Sequence, residues 1–200
     1  MILTSSKEAG SRARGDWGGL VLNGKAPING CDSAPCEAEG EGATGKYGGT
    51  DADDNSGTLK YIRVEFAGHP ITPDNELNGI AFQGVGAGTT LEYIQVHMAA
   101  DDGIEFFGGT AQFKYILATG ISDDNLDWTD GWQGKGQFFV AQQYSDKGDN
   151  GIEADNNGDN NGITPMSNPT LANLTIVGSP DSDKSDEGIL LREGTAASIH

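Results

Sequence analysis

Two short patterns of apolar and polar positions alternate along the chain. The first follows a turn and reads Asn78-Gly-Ile-Ala-Phe-Gln83, then Asp102-Gly-Ile-Glu-Phe-Phe107, Asn125-Leu-Asp-Trp128, Asn150-Gly-Ile-Glu-Ala-Asp155 and Glu187-Gly-Ile-Leu-Leu-Arg192. The second reads Thr58-Leu-Lys-Tyr-Ile-Arg-Val64, then Thr90-Leu-Glu-Tyr-Ile-Gln-Val96, Gln112-Phe-Lys-Tyr-Ile-Leu117, Gln137-Phe-Phe-Val-Ala141 and Thr170-Leu-Ala-Asn-Leu-Thr-Ile176. Alternation with a period of two marks strands, and Gly, Asp, Asn and Ser turns separate them. Asp16–Asn23 carries a further strand of the first kind, and Ile2-Leu-Thr4 looks like a strand end.

The first pattern recurs after 22 residues from Ile104 to Leu126 and after 26 from Leu126 to Ile152, then stretches to 37 at Ile189. Repeats of this length fit one turn of a solenoid whose coils stack about 4.8 Å apart. The predicted fold is all-β, a right-handed parallel β-helix of about five coils. It forms one domain over 1–200, with a long loop at 24–57 and an Asn/Asp-rich loop at 155–169. Strand parity puts two columns in the core: Ile80, Ile104, Leu126, Ile152, Ile189 and Phe82, Phe106, Trp128, Ala154, Leu191. The last residues, Ser198-Ile-His200, read as part of another strand of the second kind, so truncation of the β-helix at its C-terminus is expected.

Charge narrows the partners. Twelve Lys and Arg against 30 Asp and Glu leave −18, which removes nucleic acid from consideration and disfavours anionic membranes. No apolar run reaches the length of a transmembrane helix. Met1–Lys7 has no signal-peptide core, so either the protein is cytosolic or a targeting segment lies outside these residues. The 31 glycines and the acidic, Asn-rich turns look extracellular. Cys31 and Cys36 are therefore expected to form a small disulfide, in a protein outside the cell or on its surface. Zinc would need two more soft ligands nearby.

The same parity sends Glu105, Asp127 and Glu153 outward on three successive coils. Asp101/Asp123/Asp149 and Asp102/Asp124/Asn150 form two more columns at the preceding turn. Carboxylates about 5 Å apart repel unless something sits among them. Three uses are open: a solvated acidic face, a Ca²⁺ site with ligands that include Asp102, Asp124 and Asp127, or catalytic acid/base chemistry by Glu105, Asp127 and Glu153. Alternate-residue spacing gives three more calcium candidates: Asp51, Asp53 and Asn55; Asp155, Asn157 and Asp159; Asp181 and Asp183. None has the full twelve-residue pattern of an EF-hand.

Lys60, Glu92 and Lys114 align as an ion-pair ladder, and Tyr61, Tyr93 and Tyr115 as a structural stack. Trp132 lies at a turn and is the candidate for stacking on a sugar. Arg192 or Lys135 could supply positive charge to a substrate. His69, His97 and His200 have neither ligand nor triad spacing.

Gly15-Asp-Trp-Gly-Gly-Leu-Val-Leu-Asn-Gly-Lys-Ala-Pro-Ile-Asn29, Glu37-Ala-Glu-Gly-Glu-Gly42, Val64-Glu-Phe-Ala-Gly68, Ala100-Asp-Asp-Gly-Ile-Glu-Phe-Phe-Gly-Gly109 and Gly151-Ile-Glu-Ala-Asp-Asn-Asn157 carry a resemblance over nearly the whole chain. They resemble a largely uncharacterised family of bacterial secreted proteins and surface lipoproteins with a pectate-lyase-like right-handed β-helix. The resemblance implies fold and surface location but no activity. The reading that follows is a calcium-stabilised β-helix module that engages an extended ligand such as a polysaccharide. The alternatives are a polysaccharide hydrolase or lyase and a passive adhesin or spacer.

Overall fold

Strands account for nearly all the regular structure, and the long-range ones pair in parallel. The computed structural model describes residues 1–31, 35–72, 75–181 and 184–200. A long sheet stacks Ile2–Leu3, Thr58–Glu65, Thr90–His97, Gln112–Thr119, Lys135–Gln142, Thr170–Val177 and Ser198–Ile199 in that order. A short sheet stacks Leu20–Asn23, Ile80–Gln83, Ile104–Phe107 and Leu126–Thr129. A bridge from Leu126 to Ile152 and the pairing of Glu153–Ala154 with Leu190–Leu191 continue its column. The chain visits the two sheets alternately, one coil after another. This is a right-handed parallel β-helix, and Leu20–Asn23 adds a coil position ahead of Ile80.

Parity produces the core as expected. Ile80, Ile104, Leu126 and Ile152 are fully buried in one column, and Phe82, Phe106, Trp128 and Ala154 in the next. The long sheet contributes Ile62, Ile94, Ile116 and Phe139 in register. Bulk alternates along the axis so that each coil fills its neighbour's gap. Gly136 is an example: a Cβ there would lie 2.2 Å from Phe113 Cζ. Ile189 and Leu191 hold their register but are 37 % and 48 % exposed, because the last coil position has no neighbour on one side.

Corners are marked by left-handed residues. Gly84, Gly108 and Asp130 close the short strands with φ of 58°, 63° and 54°. Tyr61, Tyr93, Tyr115, Phe138 and Asn173 bend the long strands at φ between 55° and 60°. A non-glycine residue pays about 1–2 kcal/mol for that conformation. Stacking offsets it on the long sheet, where rings of Tyr61, Tyr93, Tyr115 and Phe138 follow at 4.8, 4.6 and 5.1 Å. Lys60 pairs with Glu92 at 2.8 Å and lies 5.5 Å from the Tyr93 ring, with Lys114 in the same column.

The segment 24–57 is a strap laid across the outside of the short sheet. Cys31 and Cys36 are disulfide-bonded within it. Tyr47 packs on Phe107 and its hydroxyl donates to Asp130 at 3.0 Å. Gly40 sits so close to the sheet that a Cβ would meet Gln83 Oε1 at 2.2 Å. The Asn/Asp-rich loop is tied to the strap by buried amides: Asn29 Nδ2 donates to Asn156 Oδ1 at 2.9 Å, and Ser167 N–H to the same oxygen at 2.8 Å.

Candidate metal centre

Glu105, Asp127 and Glu153 point out of the short sheet in one column, with Glu105 directly opposite Asp127 in the pairing. The strap makes this outer face an interior. Glu105 is 8 % exposed and Asp127 9 %, so neither belongs to a solvated acidic face. Asn78, one coil before, donates from Nδ2 to Glu105 Oε2 at 2.6 Å and to Glu41 Oε2 of the strap at 2.9 Å. At the other end, Arg192 donates to Glu153 and grips Asp155 at 2.8 and 2.9 Å.

The preceding turn supplies the second row of oxygens. Asp102 Oδ1 accepts the Asp124 N–H at 3.0 Å, and Asp124 Oδ1 accepts the Asn150 N–H at 2.6 Å. Each aspartate therefore spends one oxygen on a backbone N–H of the next coil. Among the described residues, four groups of three carboxylates bring one oxygen apiece within 4.8 Å: Asp102/Glu105/Asp127, Asp124/Asp127/Glu153, Asp101/Asp102/Asp123 and Asp123/Asp124/Asp149. Calcium–oxygen distances of about 2.3–2.6 Å hold the ligands of one ion within about 5 Å of one another. The spacing fits.

Burial sets the electrostatics. It pushes Asp102, Glu105 and Asp127 well above the ordinary carboxylate range, and neighbouring carboxylates push further: Asp127 acts on Asp102 and Glu105, and Asp124 on Asp127. Burial and then Asp101 raise Glu41 to about 8; burial and then Asp123 raise Asp124 to about 8; burial and then Glu76 raise Asp101 to about 7. Asp127 Oδ1, Asn78 Oδ1 and Asn150 Oδ1 are buried without a hydrogen-bond partner. All three are acceptors, and they lie in or at the ends of the same trough. Among the described residues, the positive charge paired with these carboxylates is that of Arg192, at the Glu153 end.

A sequence profile described as pectate-lyase like beta helix domain matches residues 1–200. The chain belongs to that family. No curated protein and no solved structure matches it. Within this pectate-lyase-like β-helix domain, Glu105, Asp127, Glu153, Asp102 and Asp124 are brought together. The loop candidates are not among the carboxylate groups found in the described residues. Asp51 Oδ1 accepts the Asp53 N–H, Asn55 Oδ1 the Gly57 N–H, and Asn157 Oδ1 the N–H groups of Asp159 and Asn160, which are local turn bonds. Asp155 is held by Arg192, Asp181 lies on an exposed turn, and Asp183 falls outside the described residues.

Trp132 corrects the sequence reading. It is fully buried, stacked 4.2 Å from Phe106, with its indole N–H on Ala111 O at 3.2 Å. A turn of a β-helix has an inside, and Trp132 fills it, so it offers no face to a sugar. Lys135 stands on the long sheet, in register with Gln112 and Thr170, and takes no part in the trough. Glu41, Asn78 and Tyr47 were missed. Their only sequence signal was the alternation Glu37, Glu39, Glu41 within the strap.

Proposed function

We propose that this β-helix domain is a Ca²⁺-holding module, outside the cell or on its surface, that engages an extended polysaccharide. The observation that carries the cation is Asp127 Oδ1, buried and unpaired between two carboxylate triads. A hard divalent ion supplies the missing charge and satisfies that oxygen. The disulfide supports an oxidising compartment. Family membership and the long parallel face of the β-helix support an extended carbohydrate as partner, by analogy of fold.

A hydrolase or lyase using Glu105, Asp127 and Glu153 has one point in its favour: burial, and then neighbouring carboxylates, push Glu105 and Asp127 well above the ordinary carboxylate range, the direction a general acid needs. Against it, Glu105 and Asp127 are buried, and a substrate must touch its catalytic groups. The test is metal content of the purified chain after gel filtration, joined to its retardation on immobilised polysaccharides with calcium or with EDTA. Retained calcium and calcium-dependent retardation are expected. A metal-free chain that ignores both calcium and every polysaccharide would refute the proposal, and product release from a polysaccharide would favour the enzyme.

A further inference from the structure

The two triads that share Asp127 are one site drawn twice. Asp102 and Glu105 stand three residues apart on one coil and meet Asp127 from the next. Asp124 and Asp127 stand three apart on that next coil and meet Glu153 from the one after. Translation by one coil carries the first triad onto the second, and Asp127 belongs to both. The pattern ends on either side. Asn78 and Ala81 hold the corresponding places one coil earlier, and after Asn150 and Glu153 the next place is Leu190. Three of the buried unpartnered oxygens follow the same plan: Asp127 Oδ1 sits at the shared position, and Asn78 and Asn150, each with an unpartnered Oδ1, hold the places at the two ends; Gln83 Oε1 and Asn125 Oδ1 lie outside it.

Resting on the calcium reading above, we propose that the trough holds two divalent cations on successive coils, bridged by Asp127. Charge supports the number. Glu41, Asp102, Glu105, Asp124, Asp127 and Glu153 can carry six negative charges, and among the described residues Arg192 alone pairs with one of them, at one end. One divalent ion in the first triad engages the shared Asp127 but leaves Asp124 and Glu153 of the second without a cation of their own. The two sites differ in strength. Arg192 already pairs with Glu153, so the site at Asp124/Asp127/Glu153 is the weaker, and the site at Asp102/Glu105/Asp127 fills first.

The experiment is calorimetric titration of Ca²⁺ into the chelator-stripped, folded chain and its variants. Asp102→Asn, whose amide oxygen still accepts the Asp124 N–H, removes the tighter event. Glu153→Gln removes the weaker one. The double variant binds two equivalents fewer than the parent, and Asp127→Asn weakens both events at least tenfold. A difference of one equivalent between parent and double variant overturns the pair of sites while leaving calcium binding intact. A parent that binds no Ca²⁺ overturns the reading beneath it. A second measurement needs no variant: the chain is loaded with Tb³⁺ and titrated with Eu³⁺. Ions one coil apart shorten the Tb³⁺ emission lifetime; an unchanged lifetime refutes the bridged pair.

Discussion

On the long sheet, Tyr61, Tyr93, Tyr115 and Phe138 lie above one another with ring centroids 4.6 to 5.1 Å apart. On the short sheet, Glu105, Asp127 and Glu153 are stacked by the same coil spacing. A parallel β-helix repeats whatever it places at a position. For rings the repetition is attractive, and those four side chains stand half-open to solvent without help. For carboxylates it is repulsive, and burial under the strap makes it more so. One face is complete as it stands; the other, on the proposal above, is completed by a counter-charge.

The largest test of that contrast is chelation. Each filled site stabilises the fold by about 2.7 kcal/mol at a hundredfold excess of ion over Kd. Two sites give about 5 kcal/mol, or roughly 10–20 °C in Tm for a chain of this size. EDTA should lower the melting temperature by that amount, and calcium should restore it. A melting curve indifferent to both would leave the carboxylate face without its counter-charge.

The second test is pH, in chelator. Asp101 is raised from 3.8 to about 7, Asp124 from 3.8 to about 8 and Glu41 from 4.5 to about 8. Between the unfolded and folded values the native state binds more protons than the unfolded one. Stability must therefore fall as pH rises through that window, by up to about 1.4 kcal/mol per unit for each group. The metal-free chain should melt higher at pH 5 than at pH 8.5, and calcium should flatten the slope. Equal slopes with and without calcium would separate these acids from the ion.

Asp127→Asn should change sign with conditions. With calcium it should cost about 2–3 kcal/mol by weakening the bound state. In chelator it should gain about 1 kcal/mol, because a buried charge disappears. Paired thermal melts decide, and loss of stability in both would make Asp127 an ordinary structural residue. Tyr93→Ala is the smallest effect and the control. It removes two stacked pairs, about 1–3 kcal/mol, with the same loss in calcium and in chelator. Tyr93→Gly should recover about 1 kcal/mol of that by relieving the left-handed backbone.

Much of this contrast was legible in the sequence, for a physical reason. Register in a β-helix is set by apolar parity, so Ile104, Leu126 and Ile152 align by inspection and bring Glu105, Asp127 and Glu153 with them. Phe138 was not read as the fourth ring, because the strand at Lys135–Gln142 lacks the Tyr-Ile pair and begins two residues before Gln137. The strap was opaque. Glu41 reaches Asn78 across 37 residues and Tyr47 reaches Asp130 across 83, and no local pattern encodes such meetings. Trp132 departs from expectation because a turn residue reads as outward in the sequence, whereas the corner has a packed interior of its own.

The corner after the short strands has an evolutionary consequence. Between a short strand and the long strand that follows, the chain spends 34 residues at 24–57, then six at 84–89, four at 108–111, five at 130–134 and 15 at 155–169. Inter-coil hydrogen bonds run from strand to strand and take no account of these lengths. Insertions at this one corner are thus nearly neutral for the core, and both segments that reach over the trough or fasten its cover, 24–57 and 155–169, are such insertions. Descendants of one inherited barrel of coils can therefore exchange what they cover and what they recognise by exchanging a single loop, with no strand having to move.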